Sequence, residues 1–301
     1  MPNVHPIQPI VSMNPESRYP TNWFHRAHQG DRVRHSWEPR SVRRWMMAIS
    51  SAVITSVSLG WGVAGQGLAA SPDTAPPEVL QTIEAMDAAA SQADVDTVMD
   101  YYSSDFSSVD GLDYEDMERT LSGLWDLYPN LTYETQLLEW EAEGDGFVVE
   151  TLTLVTGSPI VGDRPFDFTA TIEARQRLLD GQVVEQEVLA EETVLMSGQN
   201  SPTVQINLPE QVEVGSEFVF DAIVLEPLDG RRLLGIAIDE PVDVAGYLNP
   251  ANVELEVLPA GGLFKIGQAP EMPGSRWISA VLVREDGITI VTRRLQVVAA
   301  E

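Results

Sequence analysis

Cysteine is absent from the sequence, and the four histidines all lie within its first 35 residues. The lack of cysteine excludes disulfides, iron–sulfur clusters and thiol catalysis. The lack of histidine beyond residue 35 removes the commonest general base and zinc ligand from the rest of the chain, and with them every Ser-His-Asp or Cys-His arrangement there. The sequence therefore predicts no metal and no other cofactor.

Positive charge is also scarce in most of the chain. Residues 71–301 carry 11 Lys and Arg against 43 Asp and Glu, a net charge of −32, and Lys265 is the only lysine. Such a surface repels phosphate backbones and anionic lipid headgroups, so nucleic acid is not expected as a partner. Two interpretations of this acidity are open: a surface that keeps the protein soluble in a salty medium, or a site for cations or basic partners. The first is favoured, because the acids are spread along the chain and not clustered.

The first 70 residues form a leader of opposite charge, with seven arginines and three acids. Residues 45–72 then contain no charged side chain, and the small residues around Ala69 and Ala70 suit a signal peptidase. A basic flank, an apolar stretch and a small-residue exit are typical of a secretory signal. We therefore expect cleavage near Ala69/Ala70 and export to the periplasm, an equivalent lumen or the exterior.

Two alternatives for this leader remain open. The uncharged run is long enough to span a bilayer, so an uncleaved N-terminal membrane anchor is the other interpretation. The pair Arg43-Arg44 is compatible with a twin-arginine route as well as with general secretion. With cleavage, the mature form would not be embedded in the membrane.

The periodicity of apolar residues changes twice along the body. After a proline-rich linker at 71–77, helical spacing predicts three helices over 77–90, 94–102 and 113–128. From Leu131 to Met196 the period becomes two residues, which predicts four antiparallel strands, with Asp180-Gly181 as a hairpin turn. The pattern indicates an α+β domain at 77–197.

The remaining segment shows no helical period. Beyond the linker-like residues 197–203, short strands and glycine turns follow closely to the end of the chain. This pattern predicts an all-β sandwich of immunoglobulin-like or fibronectin-like type at 201–299.

A family resemblance rests on the segments PPEVLQTIEAMDAAASQADV, MDYYSSDFSSVDG and YEDMERTLSGLWDLYPNLTYE and on the strands that follow them. Through these segments, residues 77–197 resemble the nuclear transport factor 2-like superfamily, which includes ketosteroid isomerases and SnoaL-like cyclases. The resemblance implies a cone-shaped domain in which three helices pack into a curved antiparallel sheet and leave a pocket. No catalytic motif matches position by position, so no catalytic residue is carried over.

Catalysis in such a pocket would require a carboxylate base, since histidine is missing. Asp105 and Asp110 follow the second predicted helix, where the chain would pass the pocket mouth, and Tyr102 could donate a hydrogen bond to a substrate carbonyl. Gln186 and Glu192 could point into the pocket from the last strand, although a solvent-facing position suits Glu192 better. The alternative is a purely structural role, in which Tyr102 packs a helix against the sheet and Asp110 forms a turn.

The function that these features favour is an exported, non-enzymatic ligand-binding or protein-interaction protein. Its partner would be a mainly apolar small molecule or an envelope protein; the oligomeric state stays open. The alternative is an isomerase- or cyclase-type enzyme that uses a pocket carboxylate as general base.

Overall fold

The computed structural model describes residues 25–26, 70–161, 163–248 and 254–300. Apart from residues 25–26 and Ala70, the predicted leader lies outside the described residues. No helix within the described part is long and apolar enough to cross a membrane. The helices are α1 Pro77–Ala90, α2 Val95–Met99, α3 Tyr114–Leu127 and α4 Val244–Leu248, with a 3-10 turn at Pro72–Thr74. The strands are β1 His25–Arg26, β2 Tyr102–Ser108, β3 Leu131–Glu143, β4 Gly146–Gly157, β5 Ile160–Val161, β6 Arg164–Pro165, β7 Asp167–Leu179, β8 Gln182–Gly198, β9 Val204–Asn207, β10 Gln211–Glu213, β11 Glu217–Val224, β12 Leu234–Pro241, β13 Glu256–Val257, β14 Gly262–Gln268, β15 Gly274–Arg284 and β16 Gly287–Val298.

Ten of these strands form one mainly antiparallel sheet. Its main order is β13-β12-β15-β16-β8-β7-β4-β3, and the short strands β2 and β10 join β8 and β16 in parallel. The centre of the sheet is β8, whose 17 residues pair with β7 along most of their length. Its end pairs with β16, from Glu192 opposite Arg293 to Gly198 opposite Gly287. Strands from both sides of the predicted linker at 197–203 therefore belong to the same sheet.

A separate four-stranded sheet has the order β1-β14-β11-β9, in which β1 comes from residues 25–26 and the other three strands from the second half of the chain. Apolar side chains that alternate along β11 are buried, because successive residues of a strand point to opposite faces. They share a core with residues of β15 and β16, which belong to the large sheet. This core includes Phe218, Phe220, Leu263, Ile278, Leu282 and Leu295.

The first three helices pack with β2 and the β3-β4-β7-β8 part of the large sheet around a second core. Helix α1 begins at Pro77, as predicted, since proline suits the first helical position. Helix α3 begins after Asp113, whose carboxylate accepts a 2.9 Å hydrogen bond from the Asp116 amide. The core includes Val79, Met99, Phe106, Trp125, Leu131, Val149, Phe168 and Val183.

The predicted fold class, a three-helix cone domain followed by an all-β sandwich, is wrong. Strands make up 55% of the described residues and helices 18%, and one large antiparallel sheet dominates. The predicted helix over 94–102 is helical only from Val95 to Met99, and the chain enters β2 at Tyr102. A period of two residues identifies a strand without naming its neighbour, which is why the pairing of β8 with β16 could not be foreseen. Whether 77–197 and 201–299 fold independently stays a prediction.

Candidate functional site

A cavity of about 190 Å³ lies between the first helices and the large sheet. Its wall is mainly apolar, with a few hydroxyl, amide and carboxyl groups. The lining residues are Ile83, Met86, Asp87, Ala90, Val98, Tyr102, Met117, Leu121, Trp125, Tyr133, Thr135, Thr151, Thr153, Ile172, Ala174, Gln176 and Gln186.

The alternation of side chains along the strands builds one side of this cavity. Tyr133 and Thr135 are two residues apart on β3, and therefore lie on the same face of the sheet. Thr153 lies opposite Thr135 on β4, and Gln186 on β8 lies opposite Gln176 on β7. The helical repeat builds the other side, where Leu121 and Trp125 are one turn apart on α3.

A hydrogen-bonded carboxyl group lies at one end of the cavity. Asp87, on α1, accepts two hydrogen bonds of 2.6 Å from Thr135, one from the backbone amide to Oδ2 and one from the hydroxyl to Oδ1. The Thr135 and Thr153 hydroxyls are 3.0 Å apart. One turn further along α1, Ser91 Oγ accepts a 2.9 Å bond from the Tyr133 amide. Helix α1 thus satisfies amides of β3, which is the edge strand of the sheet.

The other polar part of the cavity wall contains the phenol groups of Tyr102 and Tyr133. Tyr133 OH accepts a 2.9 Å hydrogen bond from Trp125 Nε1, and the two rings meet edge to face. Gln186 Oε1 accepts a 2.9 Å bond from Gln176 Nε2 and a longer contact of 3.5 Å from Tyr102 OH. Burial, with a smaller contribution from Tyr133, raises the pKa of Tyr102 to about 12, and burial also raises the pKa of Tyr133. Both phenols are therefore protonated hydrogen-bond donors at neutral pH.

The structure places the predicted site residues in three different settings. Tyr102 and Gln186 line the cavity. Asp105 is an exposed residue of β2, and Glu192 forms an ion pair with Arg293; neither lines the cavity. Asp110 lies in the turn after β2, in a buried ion pair with Arg294.

Sequence reasoning missed Asp87, the one carboxyl group among the residues that line this cavity. A signal for it was available, since Asp87 is one helical turn from Ile83 on the apolar stripe of α1. An acidic residue on a core-facing stripe is unusual unless it has partners, and here Thr135 provides them.

The turn that contains Asp110 belongs to a second buried polar group, which we call the ion cluster. Arg294 on β16 donates to both oxygens of Asp110, at 2.9 and 3.0 Å, and to Glu191 on β8 at 3.2 Å. The Tyr247 hydroxyl of α4 donates to Asp110 Oδ2 at 3.2 Å, and Trp277 Nε1 donates to Glu191 at 3.0 Å. The Arg294 and Asp110 side chains are only 1% and 7% exposed.

The electrostatics of the ion cluster follow from this burial. Burial disfavours the charged guanidinium of Arg294, but hydrogen bonds to Asp110 and the charge of Glu191 outweigh it, so the pKa of Arg294 is raised. Burial, followed by the charge of Glu191, raises the pKa of Tyr247 and keeps its proton available for Asp110. Among the described residues, no group of three or more acidic side chains is placed to hold a metal ion.

Comparison with known proteins gives a family match for the second half of the chain. A family described as a domain of unknown function, DUF8623, matches residues 199–298. No curated protein is significantly similar to the chain in sequence.

Solved structures are similar to about a third of the chain. The structure of Bdellovibrio bacteriovorus Bd1075 is 17% identical, with 37% of this chain and 38% of that chain covered and a TM-score of 0.28. An uncharacterised cystatin fold protein from Novosphingobium aromaticivorans is 24% identical, with 36% and 95% covered and a TM-score of 0.26. A Mycobacterium tuberculosis LEH-like epoxide hydrolase is 17% identical, with 37% and 80% covered and a TM-score of 0.26. At TM-scores below 0.3, no argument about the fold or the function of this chain rests on these matches. The immunoglobulin-like sandwich is not confirmed.

Proposed function

We propose that this protein binds one small, neutral, mainly apolar molecule in the cavity, without converting it. The observation that carries the proposal is the hydroxyl of Tyr133. Its oxygen already accepts a hydrogen bond from Trp125, and no acceptor among the described residues takes its proton. A protonated donor without an acceptor, in a mainly apolar cavity, is suited to a hydrogen-bond acceptor on a ligand.

The volume of the cavity limits the size of the ligand. A dry apolar cavity of about 150 Å³ holds one benzene molecule, and pockets for drug-sized ligands are typically about 300–1,000 Å³. At about 190 Å³, the cavity suits a single ring with a small substituent. A polycyclic ligand would need more space.

The lining groups limit the charge of the ligand. No lysine or arginine lines the cavity, so an anion would have no counterion there. Asp87 is the one acid among the lining residues, and hydrogen bonds from Thr135 to both of its oxygens hold its carboxylate towards β3. We therefore infer a neutral ligand whose carbonyl or ether oxygen pairs with Tyr133.

A matched pair of ring compounds tests this proposal. Binding of 4-fluorobenzaldehyde and 4-fluorotoluene to the purified protein can be measured by fluorine NMR. The aldehyde should bind about five-fold more tightly, because one additional hydrogen bond contributes about 1 kcal/mol. Tyr133→Phe should remove that preference and leave the affinity for fluorotoluene unchanged. Failure of both compounds to bind would refute the proposal.

The second candidate function is an isomerase- or cyclase-type enzyme, and the presence of Asp87 in the cavity wall favours it. A carboxylate base would remove a proton from a carbon next to a carbonyl group, while a phenol polarises the carbonyl. The two hydrogen bonds from Thr135 to Asp87 oppose this role, because they engage both carboxylate oxygens and hold them towards β3.

Deuterium exchange into cyclohexanone separates the two candidates. An enzyme of this type should exchange the protons next to the carbonyl faster than buffer does, and Asp87→Asn should abolish the acceleration while Asp105→Asn, at an exposed position, leaves it intact. Exchange at the buffer rate would remove the enzyme candidate.

We also propose that the protein works outside the cytoplasm after its leader is removed. The basic, uncharged and small-residue segments of residues 1–70 support this proposal. The protein from its native host should begin at Ala70 or Ser71 when its N-terminus is sequenced. An intact leader in a soluble cytoplasmic fraction would contradict it.

A further inference from the structure

The ion cluster lies next to the helix that covers the cavity, although none of its members lines the cavity. Asp110 belongs to the turn between β2, which provides Tyr102, and α3, which provides Met117, Leu121 and Trp125. The turn is also fixed locally. The Val109 amide donates to the Gln186 carbonyl at 2.9 Å, and the Leu112 amide donates to Ser108 Oγ at 3.0 Å. The bidentate contact with Arg294 attaches this turn to β16.

Helix α4 reaches the same place from the second half of the chain. It packs against α3, and Tyr247 belongs to the shell of the core that contains Met117 and Trp125. Gly246 permits the close approach of α4 to the sheet, because a Cβ there would lie 2.9 Å from the Pro241 carbonyl oxygen and 3.1 Å from the Trp277 ring. The rings of Tyr247 and Trp277 then meet edge to face, 4.6 Å apart.

We propose that α4 and the ion cluster position α3 over the cavity, so that Tyr247, Asp110 and Arg294 set ligand affinity without touching the ligand. A buried bidentate ion pair has a narrow geometry, since both partners lose water and must replace it with each other. This geometry fixes the turn that begins α3. The region matched by the family of unknown function therefore contributes to the cavity as a support, through α4 and β16.

Hydrogen exchange tests the positioning of α3 without any ligand. Tyr247→Phe removes one hydroxyl from the ion cluster and keeps the ring against Trp277. The amides of α3 should then exchange about ten-fold faster, while those of α1 keep their rate, because only the supported helix opens more often. Gly246→Ala displaces α4 without changing a charge and should give the same pattern.

Ligand affinity tests the consequence for the cavity and rests on the proposed function. The dissociation constant of 4-fluorobenzaldehyde should rise about 3- to 30-fold in Tyr247→Phe, the range typical of residues that act at a distance from a site. Leu263→Ala is the matched control, since Leu263 belongs to the core shared by β11, β15 and β16, which includes no residue of α3 or of the ion cluster. Measured well below the melting temperature, its affinity should equal that of the wild type.

The outcomes separate the two proposals. Unchanged α3 exchange in Tyr247→Phe and Gly246→Ala, or equal acceleration in α1 and α3, would overturn the positioning role. Normal probe affinity in Tyr247→Phe would overturn its extension to the ligand. If the wild type binds neither fluorinated compound, the proposed function fails, and the exchange pattern alone decides whether α4 and the ion cluster position α3.

Discussion

The cavity and the ion cluster bury polar side chains in different ways. The polar groups of the cavity are mainly neutral, come from residues 87–186, and leave about 190 Å³ of space. The ion cluster contains two carboxylates and one guanidinium from residues 110–294, packed against each other. Burying a charge requires partners, and these fix its geometry. The bidentate contact fixes Arg294 against Asp110, although Arg294 Nε has no hydrogen-bond partner among the described residues. In the cavity, the neutral hydroxyl of Tyr133 keeps a proton that no described acceptor takes. This difference agrees with the proposed roles, in which the cavity binds a ligand and the ion cluster supports α3.

The largest expected effect is the loss of the cation from the ion cluster. Arg294→Met leaves the carboxylates of Asp110 and Glu191 buried without a counterion. Breaking a buried ion pair on one side costs about 3–5 kcal/mol, and we expect the free energy of unfolding in urea to fall by that amount.

The neighbouring arginine provides the control. Arg293 also forms an ion pair, with Glu192, but the two side chains are 38% and 36% exposed. Exposed pairs contribute about 0–1 kcal/mol, so Arg293→Met should change stability little. Equal costs for the two variants would show that water reaches Arg294 and would remove the contrast between the sites.

High pH should destabilise the protein through its buried, neutral tyrosines. The pKa values of Tyr102 and Tyr128 are raised by burial to about 12, compared with about 10 in the unfolded chain. Between these values the unfolded state releases protons that the folded state keeps, so stability is complete below pH 10 and falls as the pH rises towards 12. Each tyrosine should cost about 1 kcal/mol per pH unit in that window, because the unfolded phenol is only half ionised at pH 10 and the folded phenol begins to ionise near pH 12.

Tyr102→Phe isolates one of these contributions. Between pH 10 and 11, the variant should lose about 1 kcal/mol less than the wild type in urea unfolding, because phenylalanine cannot ionise. An identical loss in both proteins would mean that Tyr102 titrates in contact with water.

A smaller effect is expected at the carboxyl end of the cavity. Thr135→Val removes the hydroxyl that donates to Asp87 and keeps the shape of the side chain and the backbone donor. The loss of one such hydrogen bond should cost about 1–2 kcal/mol. Thr132→Val, at an exposed position on the same strand, should stay within about 0.5 kcal/mol of the wild type. Similar costs at both positions would show that the Asp87–Thr135 contact contributes nothing to stability.

Local features of the fold could be predicted from the sequence. The start of α1 at Pro77, the Asp113 cap of α3 and the Asp180-Gly181 turn are all encoded within a few residues; the last has positive φ at both positions. Gln186 was predicted to reach a pocket from the last strand, and Tyr102 from the end of the second predicted helix. Both line the cavity, but Tyr102 does so as the first residue of β2.

The remaining features depend on contacts between distant residues. Glu192 lies opposite Arg293 only because β8 pairs with β16, and no pattern around either residue names the other. Asp110 was considered as a base or a turn residue, since its partner is 184 positions away. The fold class was wrong for the same reason: periodicity identified most strands but not the sheet that they share.

Salt should change the contribution of the acidic surface to stability but not that of the ion cluster. A net charge of −32, from 11 Lys and Arg and 43 Asp and Glu over residues 71–301, makes the compact state repel itself. Salt shortens the Debye length from about 30 Å at 0.01 M to about 3 Å at 1 M, so the melting temperature should rise, equally in NaCl and KCl if screening is the cause. The cost of Arg294→Met should stay constant over this range, because a pair that is 1% and 7% exposed is beyond the reach of mobile ions. A flat melting temperature would mean that bound ions already neutralise the surface acids, and a cost that falls with salt would show that the ion cluster is open to solvent.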